Sequence, residues 1–485
     1  MKNNELLIGV DLGTSAVKAI LADSSGNILA QAGRSVQLIH PEEHIYEMDP
    51  LVYYRNICSL FKELTAKVDN PKKIRAVSFC TASGNTLLLD ENYNPVTNVI
   101  NWMDTRTFGK EQELWPEIDK KEIYEKCGWP WSGFFPLAHL AWLKDFQPKI
   151  WKKARYCTML DGYLYYLLCR NLVVDPSKGT TFFLQDQVKG TWNRKLLSFL
   201  GISEENLPKI LPSGTSAGNI TPEATLETGL SRETLVVTGS FDHPSAARSA
   251  GVFHQGDLLI SAGTSWVAFA PVKNREAGIN GGMLIDPFLS PEGCWGVMFS
   301  LTAVAEKMKY FLTEYINSGE EEAVYNDFNR LSGAAEPGAG GCFINPWQET
   351  VDETRERLKN TSRENIARAL MEGCAFLLKN QISKLEKFIN TEMKRVVLVG
   401  GPTKSPVWPG IIAAILNRPC AIPETGQHTG ALGAVIFAGL GAGIYPSVEE
   451  ARKQVAAAEK NIEPDKNITG KYEKIYRSYT RRYHI

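Results

Sequence analysis

The chain has 485 residues, of which 44% are hydrophobic and 22% charged, so it is long enough for at least two packed domains, and its composition excludes a largely disordered or fibrous protein. Its 53 basic and 54 acidic side chains leave a formal charge of -1, which excludes the overall positive field that gathers nucleic acid. The nine cysteines include no Cys-x-x-Cys pair, a pattern that predicts reduced, mostly buried thiols rather than a zinc or redox site.

The start of the chain, residues 5–37, predicts a meander of three strands separated by short turns. In GVDLGTSAVK, Asp11 follows the first strand, and Gly13 allows a sharp turn that exposes backbone N–H groups and the hydroxyls of Thr14 and Ser15. Such a turn can hold phosphate oxygens, and Asp11 can hold Mg²⁺ through water. The same residues also make ordinary hairpin turns, so this motif alone leaves both interpretations open.

A second group of strands begins at Ile74, where IRAVSFCTA predicts a buried strand and TLLLDENYNPV a further strand followed by a turn. VINWMDTRT then places Trp102, Asp104 and Arg106 at alternating positions, which share one face on an extended segment. An aromatic plate beside a carboxylate and a guanidinium suits a polyhydroxylated ligand. The alternative is a structural tryptophan next to a surface ion pair.

Residues 110–235 alternate helical segments with Pro and Gly breaks, and the sequence does not order them. In VVTGSFDHPSAARSAG, a predicted strand ends at Gly239, and Asp242 follows in a loop that leads into a helix of small residues. A carboxylate at that position can accept a proton from a substrate hydroxyl. It can equally be a helix N-cap with Pro244 in the first turn, and the neighbouring His243 suits a polar wall contact.

The segment 257–270, DLLISAGTSWVAFA, repeats the opening pattern of strand, Gly-Thr-Ser turn and strand. Gly263, Thr264 and Ser265 therefore offer a second phosphate-binding turn, and we expect two similar α/β halves that meet near residues 245–256. The chain has no GxxxxGK[ST] motif, which disfavours a P-loop enzyme.

The last third of the chain predicts a long helix over 361–389 that starts with a Thr361-x-x-Glu364 capping box. RVVLVGGPTKSPVW then predicts a buried strand that ends in two glycines and leads into a helix. The uncharged stretch 429–448 is interpreted as an interior helix followed by a turn, with the glycines at 439–443 used for packing, rather than as a membrane span. The first residues lack a signal-peptide core, so we expect a cytoplasmic protein.

Six motifs together resemble a known family. GVDLGTSAVK, WMDTR, GSFDHPSAARSAG, ISAGTSWVAF, ARALMEGCAF and VGGPTKSPVW follow one another in the order seen in the FGGY carbohydrate kinases, which the chain resembles from about residue 6 to 447. The resemblance implies an α/β fold of two ribonuclease-H-like (actin-like ATPase) domains with an interdomain cleft. Residues 1–247 would carry the sugar side, the first phosphate loop and the base, and residues 248–485 the second phosphate loop and the adenosine side.

The resemblance also assigns roles to individual residues. Asp242 would be the catalytic base, and Asp11 and Asp242 would bind the metal ion. The residues implied for ATP binding are Gly13, Thr14, Ser15, Lys18, Gly263, Thr264, Ser265, Gly400, Gly401, Lys404 and Ser405. The residues implied for substrate binding are Ser83, Gly84, Asn85, Trp102, Asp104, Arg106 and His243.

The activity implied is phosphorylation of a sugar or polyol hydroxyl by ATP and Mg²⁺, on a pentulose or related ketose such as xylulose or fuculose. The substrate loop CTASGN departs from the Gln-Met-His-Gly of xylulose kinases and from the Arg-Glu pair of glycerol kinases, whereas Phe241-Asp242-His243 is closer to fuculose- or L-xylulose-type members. We expect a small sugar as partner, no nucleic acid and no membrane; a homodimer is a compatible assembly.

Two other functions use the same scaffold. One is a non-catalytic regulator that binds sugar or nucleotide, and the intact Asp11 and Asp242 count against it. The other is an actin- or chaperone-like ATPase, and the WMDTR segment together with Asp242 counts against that.

Overall fold

A computed structural model describes residues 5–82, 84–263, 265–290, 293–424, 426–455 and 458–485. The strands are β1 (Leu6–Leu12), β2 (Ala16–Asp23), β3 (Ile28–Ser35), β4 (Glu47–Met48), β5 (Ile74–Thr81), β6 (Leu87–Leu89), β7 (Val99–Ile100), β8 (Tyr156–Thr158), β9 (Val173–Val174), β10 (Gln185–Asp186), β11 (Thr191–Trp192), β12 (Lys209–Ile210), β13 (Ser216–Asn219), β14 (Leu235–Phe241), β15 (Asp257–Ala262), β16 (Trp266–Val272), β17 (Leu284–Asp286), β18 (Trp295–Leu301), β19 (Arg395–Gly400), β20 (Cys420–Pro423) and β21 (Glu459–Ile462).

The helices alternate with these strands and vary from single turns to 27 residues. They are α1 (Pro50–Thr65), α2 (Glu111–Leu114), α3 (Lys120–Cys127), α4 (Pro136–Phe146), α5 (Pro148–Trp151), α6 (Leu160–Cys169), α7 (Pro176–Thr181), α8 (Arg194–Leu200), α9 (Pro222–Thr228), α10 (Asp242–Ser249), α11 (Arg275–Asn280), α12 (Val304–Tyr315), α13 (Glu321–Ala334), α14 (Val351–Leu358), α15 (Arg363–Ile389), α16 (Trp408–Leu416), α17 (Thr429–Gly441), α18 (Val448–Gln454) and α19 (Lys466–Tyr483). Short 3-10 turns lie at Pro71–Lys73, Glu204–Asn206, Ala339–Gly341, Gly401–Lys404 and Gly426–His428.

The chain forms two compact units, each built from several stretches of sequence. The first consists of Met1–Gly251, Gly282–Gly296 and His428–Ala456, and the second of Val252–Gly281, Val297–Gln427 and Ala457–Ile485. The helix α17, late in the sequence, is thus part of the first unit. The division into domains at residue 247 stays a prediction.

The first unit is organised around a six-stranded sheet with the order β13-β14-β5-β1-β2-β3. Strands β1, β5 and β14 run parallel, and β2 and β3 form the antiparallel meander predicted from residues 5–37. Side chains alternate between the two faces of a strand, so Ile8 and Val10 enter a core with α1 and α6, whereas Leu7 packs under α17. Both faces of the sheet are therefore covered.

The second unit repeats this arrangement. Its strands follow the order β18-β16-β15-β19-β20-β21, in which β15 pairs antiparallel with β16 and parallel with β19. Strand β19 in turn pairs parallel with β20, and β20 pairs antiparallel with β21. The order matches that of the first sheet, and the directions match from β21 to β16, which confirms the prediction of two similar α/β halves.

The long helix predicted for residues 361–389 is α15, but its start differs from the prediction. The N-cap is Ser362, whose side chain accepts a hydrogen bond from the N–H of Asn365. Thr361 therefore does not form the capping box with Glu364, because the helix begins one residue later than the motif indicates. The buried face of α15 includes Leu370 and Leu378, as the helical periodicity predicts.

The interior helix predicted near residue 430 is α17, and its glycines do serve packing. A Cβ at Gly439 would lie 2.1 Å from the Tyr445 ring, and one at Gly441 would lie 2.5 Å from the Val237 side chain. In the described part of the chain, no helix has both the length and the apolar character needed to cross a membrane. All nine cysteines lie among the described residues and are reduced thiols; seven are buried, and Cys294 and Cys342 are partly exposed.

Candidate active site

The turn between β1 and β2 carries the first predicted phosphate-binding residues. The register pairs Asp11 with Lys18, so the turn at 13–15 closes the hairpin directly beyond them. A Cβ at Gly13 would lie 2.6 Å from the Ala16 carbonyl oxygen, so glycine is required for the tight turn. Ser15 and Lys18 are exposed. These residues thus lie together at the carboxyl end of β1.

Asp11 and Asp242 lie at the same edge of the first sheet. The carboxyl ends of β1, β5 and β14 coincide there, because Thr81 of β5 pairs with Leu12 on one side and with Phe241 on the other. Burial, and next the charge of Asp242, raise the pKa of Asp11 to about 6 against the opposing effects of Cys80 and Lys18. The two carboxylates are therefore close enough to feel each other's charge.

Asp242 is the first residue of α10, at the end of β14. Its Oδ1 accepts a hydrogen bond from the N–H of His243 at 2.6 Å, and its side chain is 29% exposed. The N-cap of α10 is Phe241, whose side chain makes no capping bond. The N-cap interpretation of Asp242 is therefore wrong, and β14 continues past Gly239, where the sequence predicted its end. The carboxylate is left available for chemistry.

A β-bulge explains why β14 continues and then turns. Its pairing with β5 shifts by one residue between Val237 and Ser240, which bends the strand locally. A Cβ at Gly239 would lie 1.9 Å from the Phe79 carbonyl oxygen, so only glycine fits. At the bulge, the N–H of Gly239 donates to the Tyr165 hydroxyl at 3.2 Å instead of pairing with β5.

Beneath the bulge lies a buried lysine. Lys178 and its two carboxylate partners are fully buried, with the Lys178 Nζ at 2.7 Å from Asp161 and 3.0 Å from Asp175. The same Nζ donates to the Tyr165 hydroxyl at 3.2 Å. Burial lowers the pKa of Lys178, but Asp161 and Asp175 more than offset it, so the pKa stays well above its usual value. The lysine thus remains charged and anchors Tyr165 under Gly239.

Helix α17 approaches the Asp11 carboxylate through small residues. A Cβ at Gly430 would lie 3.1 Å from Asp11 Oδ2 and 3.2 Å from Cys80 Sγ. The hydroxyl of Ser245 in α10 donates to the Gly430 carbonyl oxygen at 3.1 Å, which ties the start of α17 to α10. A Cβ at Gly433 would lie 2.1 Å from the Ser245 carbonyl oxygen. The two helices therefore touch backbone to backbone beside both carboxylates.

Aromatic side chains form a connected cluster that reaches Phe241, next to Asp242. The Trp129 ring lies 5.8 Å from Phe241 and 5.3 Å from Phe135, and Phe135 stacks on Phe183 at 4.8 Å. The His243 ring meets Phe241 edge to face at 5.3 Å. Phe183 has a φ of 62°, a left-handed conformation that is unusual for a bulky residue. We call Trp129, Phe135, Phe183 and Phe241 the aromatic wall.

The predicted substrate loop meets this wall at Gly84. Its φ is 89°, and a Cβ there would lie 2.8 Å from the Phe135 ring and 3.6 Å from Trp102 Cβ. Asn85 is buried, and its Oδ1 accepts the N–H of Leu160 at 2.7 Å, so that oxygen is occupied within the fold. Ser83 lies outside the described residues.

Trp102, Asp104 and Arg106 lie in consecutive turns, not on the extended segment that the sequence predicted. Trp102 is 41% exposed, and its indole N–H donates to the Thr14 hydroxyl at 2.8 Å. It therefore links the predicted sugar segment to the phosphate turn.

Asp104 is buried and its ion-pair partner Arg106 is only 11% exposed, so the alternative of a surface ion pair is wrong. Arg106 Nη2 lies 2.7 Å from both Asp104 Oδ2 and Glu47 Oε1, and Asp104 also accepts the N–H of Tyr46 at 2.9 Å. The guanidinium is thus satisfied by protein carboxylates. A role of these two residues in sugar binding stays a prediction.

In the second unit, β15 and β19 pair in parallel with Ala262 opposite Gly400, so the turns after both strands are neighbours. Gly400 has a φ of 99°, and a Cβ there would lie 2.2 Å from the Ala262 carbonyl oxygen, which excludes other residues. Gly401 and Lys404 are exposed in the following 3-10 turn, while Thr264 lies outside the described residues. Gly263 therefore lies close to the predicted adenosine-side loop.

The two predicted serines of this unit also stabilise helix starts. Ser265 Oγ accepts the N–H of Ala303 at 3.0 Å, just before α12. Ser405 Oγ accepts the N–H of Trp408 at 3.0 Å at the start of α16 and donates to Asn329 at 2.6 Å. Their hydroxyls are engaged within the fold, and their role in ATP binding stays a prediction.

The structure brings together residues that the sequence did not single out. Cys80 and Gly430 lie beside the Asp11 carboxylate, Ser245 is bonded to Gly430, and the aromatic wall adjoins Asp242. The run GWPWSGFF at 128–135 was an available signal for part of this wall, because aromatic residues crowd between Pro and Gly. Nothing local indicated Cys80 or Gly430.

A hard divalent cation fits the donors at this edge. Mg²⁺ prefers oxygen ligands and keeps several waters, and Asp11 and Asp242 offer carboxylate oxygens whose negative charges lie close together. Across the described ranges, no three His, Cys, Asp or Glu side chains form a metal-binding cluster.

Two family models match the chain. The model described as the FGGY family of carbohydrate kinases, N-terminal domain, matches residues 6–248, and the corresponding C-terminal domain matches residues 258–442. The chain belongs to the FGGY family of carbohydrate kinases. Phosphorylation of a carbohydrate by ATP is the activity that follows from this membership, and a metal ion is usual for it.

Relatives with different sugar names match along almost the whole chain. A xylulose kinase of Lactococcus lactis subsp. lactis is 25% identical over 489 residues, covering 98% of this chain and 96% of that protein. A gluconokinase of Bacillus subtilis is 22% identical over 447 residues, covering 89% and 86%. These FGGY kinases establish a sugar kinase without selecting the sugar.

A solved structure confirms the fold. The ligand-bound xylulose kinase from Lactobacillus acidophilus superimposes with a TM-score of 0.88 at 22% identity, covering 98% of this chain and 97% of that chain. The two units thus have the actin-like ATPase fold of FGGY kinases, as the sequence predicted.

Proposed function

We propose that this FGGY kinase transfers the γ-phosphoryl group of Mg-ATP to a hydroxyl of an uncharged ketose, with Asp242 as general base. The observation that carries the proposal is the pair of Asp242 and Asp11 at one edge of the sheet. Asp11 carries a pKa of about 6, raised by burial and by Asp242. Carboxylates with a shifted pKa cluster at functional sites, which supports a catalytic role over a plain hairpin.

Asp242 would accept the proton of the attacking hydroxyl. It is ordered by the N–H of His243 and remains 29% exposed, so a substrate can reach it. General-base catalysis contributes about 10²–10⁴-fold, or roughly 3–5.5 kcal/mol of barrier. Mg²⁺ near Asp11 would neutralise charge on the phosphates.

The sugar would lie against Trp102 and against Phe135 and Phe241, the two partly exposed members of the aromatic wall. Flat aromatic faces stack on the C–H face of a carbohydrate, and Trp102 is both exposed and fixed to Thr14. Arg106 is occupied by Asp104 and Glu47, so it offers no charge to a substrate carboxylate. These contacts favour a neutral ketose such as xylulose or fuculose over an acid sugar such as gluconate.

The test is an ADP-release assay with D-xylulose, L-xylulose, L-fuculose, D-gluconate and glycerol, and with no sugar. We expect ADP release to depend on a ketose. Fast ATP hydrolysis without sugar would indicate an ATPase, and turnover of gluconate above every ketose would contradict the neutral-substrate proposal.

Asp242→Asn tests the base. The substitution keeps size and loses the proton acceptor, so kcat should fall by about 10²–10⁴-fold while the KM for ATP is retained. Asp69→Asn is a matched control, because Asp69 is an exposed carboxylate paired with Lys73 on the surface. Full turnover by Asp242→Asn would remove Asp242 from the base role.

A further inference from the structure

The junction between β14 and α10, which carries Asp242 and which we call the corner, is held by side chains from distant parts of the first unit. Helix α10 begins there without a side-chain cap from Phe241. A helix start normally needs an acceptor for its free N–H groups. The acceptor next to the corner comes instead from another element, α7.

Ser177 of α7 supplies that acceptor. The N–H of Phe241 donates to Ser177 Oγ at 3.1 Å, and the Ser177 hydroxyl donates to Asp286 Oδ2 at 2.5 Å. The other oxygen of Asp286 accepts the N–H of Phe288 at 2.8 Å. Ser177 is 3% and Asp286 1% exposed, so this relay is shielded from water and its geometry is rigid.

Arg248 fixes the last turns of α10 to the same segment. Its Nη2 donates to the Phe288 carbonyl oxygen at 2.7 Å, and its Nη1 donates to the Pro244 carbonyl oxygen at 2.9 Å. The guanidinium carbon lies 4.5 Å from the Phe288 ring centre and 4.7 Å from that of Phe437. Helix α10 is therefore attached to residues 286–288 near both of its ends.

We infer that Ser177 and Asp286 are positioning residues for the proposed base: the hydroxyl holds the backbone of Phe241, and the carboxylate orients the hydroxyl, so that Asp242 points at the substrate. This inference rests on the proposed function, in which Asp242 takes the substrate proton. Neither residue touches the substrate, and their effect reaches the reaction only through residue 241.

The size of the effect follows from the geometry. A displacement of about 1 Å in a catalytic group can cost on the order of 10²-fold in rate. Ser177→Ala removes the acceptor of the Phe241 N–H, so the corner can move by a fraction of 1 Å. We therefore expect kcat to fall by about 10- to 100-fold. Substrate binding depends on other residues, so the KM values for ATP and sugar should change by less than about threefold.

Ser177→Thr provides the conservative rescue. It keeps the hydroxyl, and Ser177 borders a cavity of about 380 Å³ that also contacts Arg248 and Phe437, so the added methyl group has space. We expect Ser177→Thr to retain kcat within about threefold of the original chain. Asp286→Asn is the second variant, because it keeps an acceptor oxygen but no longer carries the charge that orients the Ser177 hydroxyl.

The experiment measures kcat and both KM values for the original chain, Ser177→Ala, Ser177→Thr, Asp286→Asn and Asp242→Asn, using the ketose with the highest turnover in the assay above. Urea unfolding of each variant accompanies the kinetics, so that loss of fold is separated from loss of positioning.

A fall in kcat for Ser177→Ala and Asp286→Asn, rescued in Ser177→Thr, supports the inference. It is overturned if Asp242→Asn is inactive while Ser177→Ala keeps full kcat, or if both KM values rise as much as kcat falls. If Asp242→Asn itself turns over normally, the proposed function fails, whatever the Ser177 variants show. Should Ser177→Ala not fold, an unchanged kcat in Asp286→Asn overturns the inference by itself.

Discussion

Gly433→Ala probes the contact that sets the position of the Asp242 helix. The missing Cβ would lie 2.1 Å from the Ser245 carbonyl oxygen and 2.4 Å from its hydroxyl oxygen. A carbon–oxygen contact needs about 3.3 Å, so α10 and α17 must separate by about 1 Å. The nearest atom is the backbone carbonyl oxygen of Ser245, which cannot rotate away as the end of a flexible side chain would.

Two quantities should respond to this separation. Overpacking a buried contact costs about 1–3 kcal/mol of unfolding free energy, only partly offset by the better helix propensity of alanine, about 1 kcal/mol. Because Asp242 begins α10, a shift of about 1 Å should also lower kcat by on the order of 10²-fold.

The assay combines urea unfolding with ADP-release kinetics. Gly470→Ala is the matched control, because Gly470 is an exposed glycine within α19 and no heavy atom lies within 4 Å of the position of its added Cβ. The control should gain about 0.5–1 kcal/mol and keep kcat. If Gly433→Ala matched the control in both measurements, the α10–α17 contact would not position Asp242.

Three further predictions concern other parts of the two units. Trp102→Ala should raise the KM for the ketose more than the KM for ATP in steady-state kinetics, because the exposed indole faces the proposed sugar site; equal rises would contradict that location. The folded pKa of Asp11, about 6, exceeds its ordinary 3.8, so the buried carboxylate costs stability as pH rises through that window. In EDTA, Asp11→Asn should therefore be more stable than the original chain by on the order of 2–3 kcal/mol at pH 8, and this gain should vanish near pH 4. A difference in unfolding free energy that does not change with pH would refute this reasoning. Arg368→Met should cost about 3–5 kcal/mol in urea unfolding, because it leaves the buried Glu372 carboxylate without its cation. Arg368→Met with Glu372→Gln should recover most of the loss, because the neutral amide still accepts the N–H of Gly338 and the hydroxyl of Tyr472; an equally unstable double variant would contradict this.

The strands at the start of each half could be predicted because their signals are local. The apolar runs on either side of the Gly-Thr-Ser turns specify a hairpin, and the structure has β1, β2, β15 and β16 there. The bulge at Gly239 has no such local signal, since it depends on the approach of the Phe79 carbonyl oxygen from another strand. The predicted end of β14 was wrong for that reason.

The site shows the same division between local and long-range signals. Asp11 and Asp242 were found from short motifs, and the structure does bring them to one sheet edge. The burial of Arg106 depends on Glu47, 59 residues earlier, and the aromatic wall draws on positions from Trp129 to Phe241. Side chains so far apart in sequence meet only through the tertiary fold, so the sequence predicted an alternating ligand face where a buried ion pair occurs.

The placement of α17 in the first unit has a consequence during protein synthesis. About 180 residues separate the main stretch of that unit from the segment that starts at His428, and a ribosome adds about 5–20 residues per second. For roughly ten to forty seconds the nascent chain would expose the apolar surface of Leu7, Ile20 and Val237 that α17 later covers. A truncated polypeptide ending at Gly251 should therefore aggregate when expressed alone, and the growing chain is a natural client for chaperones until translation passes α17.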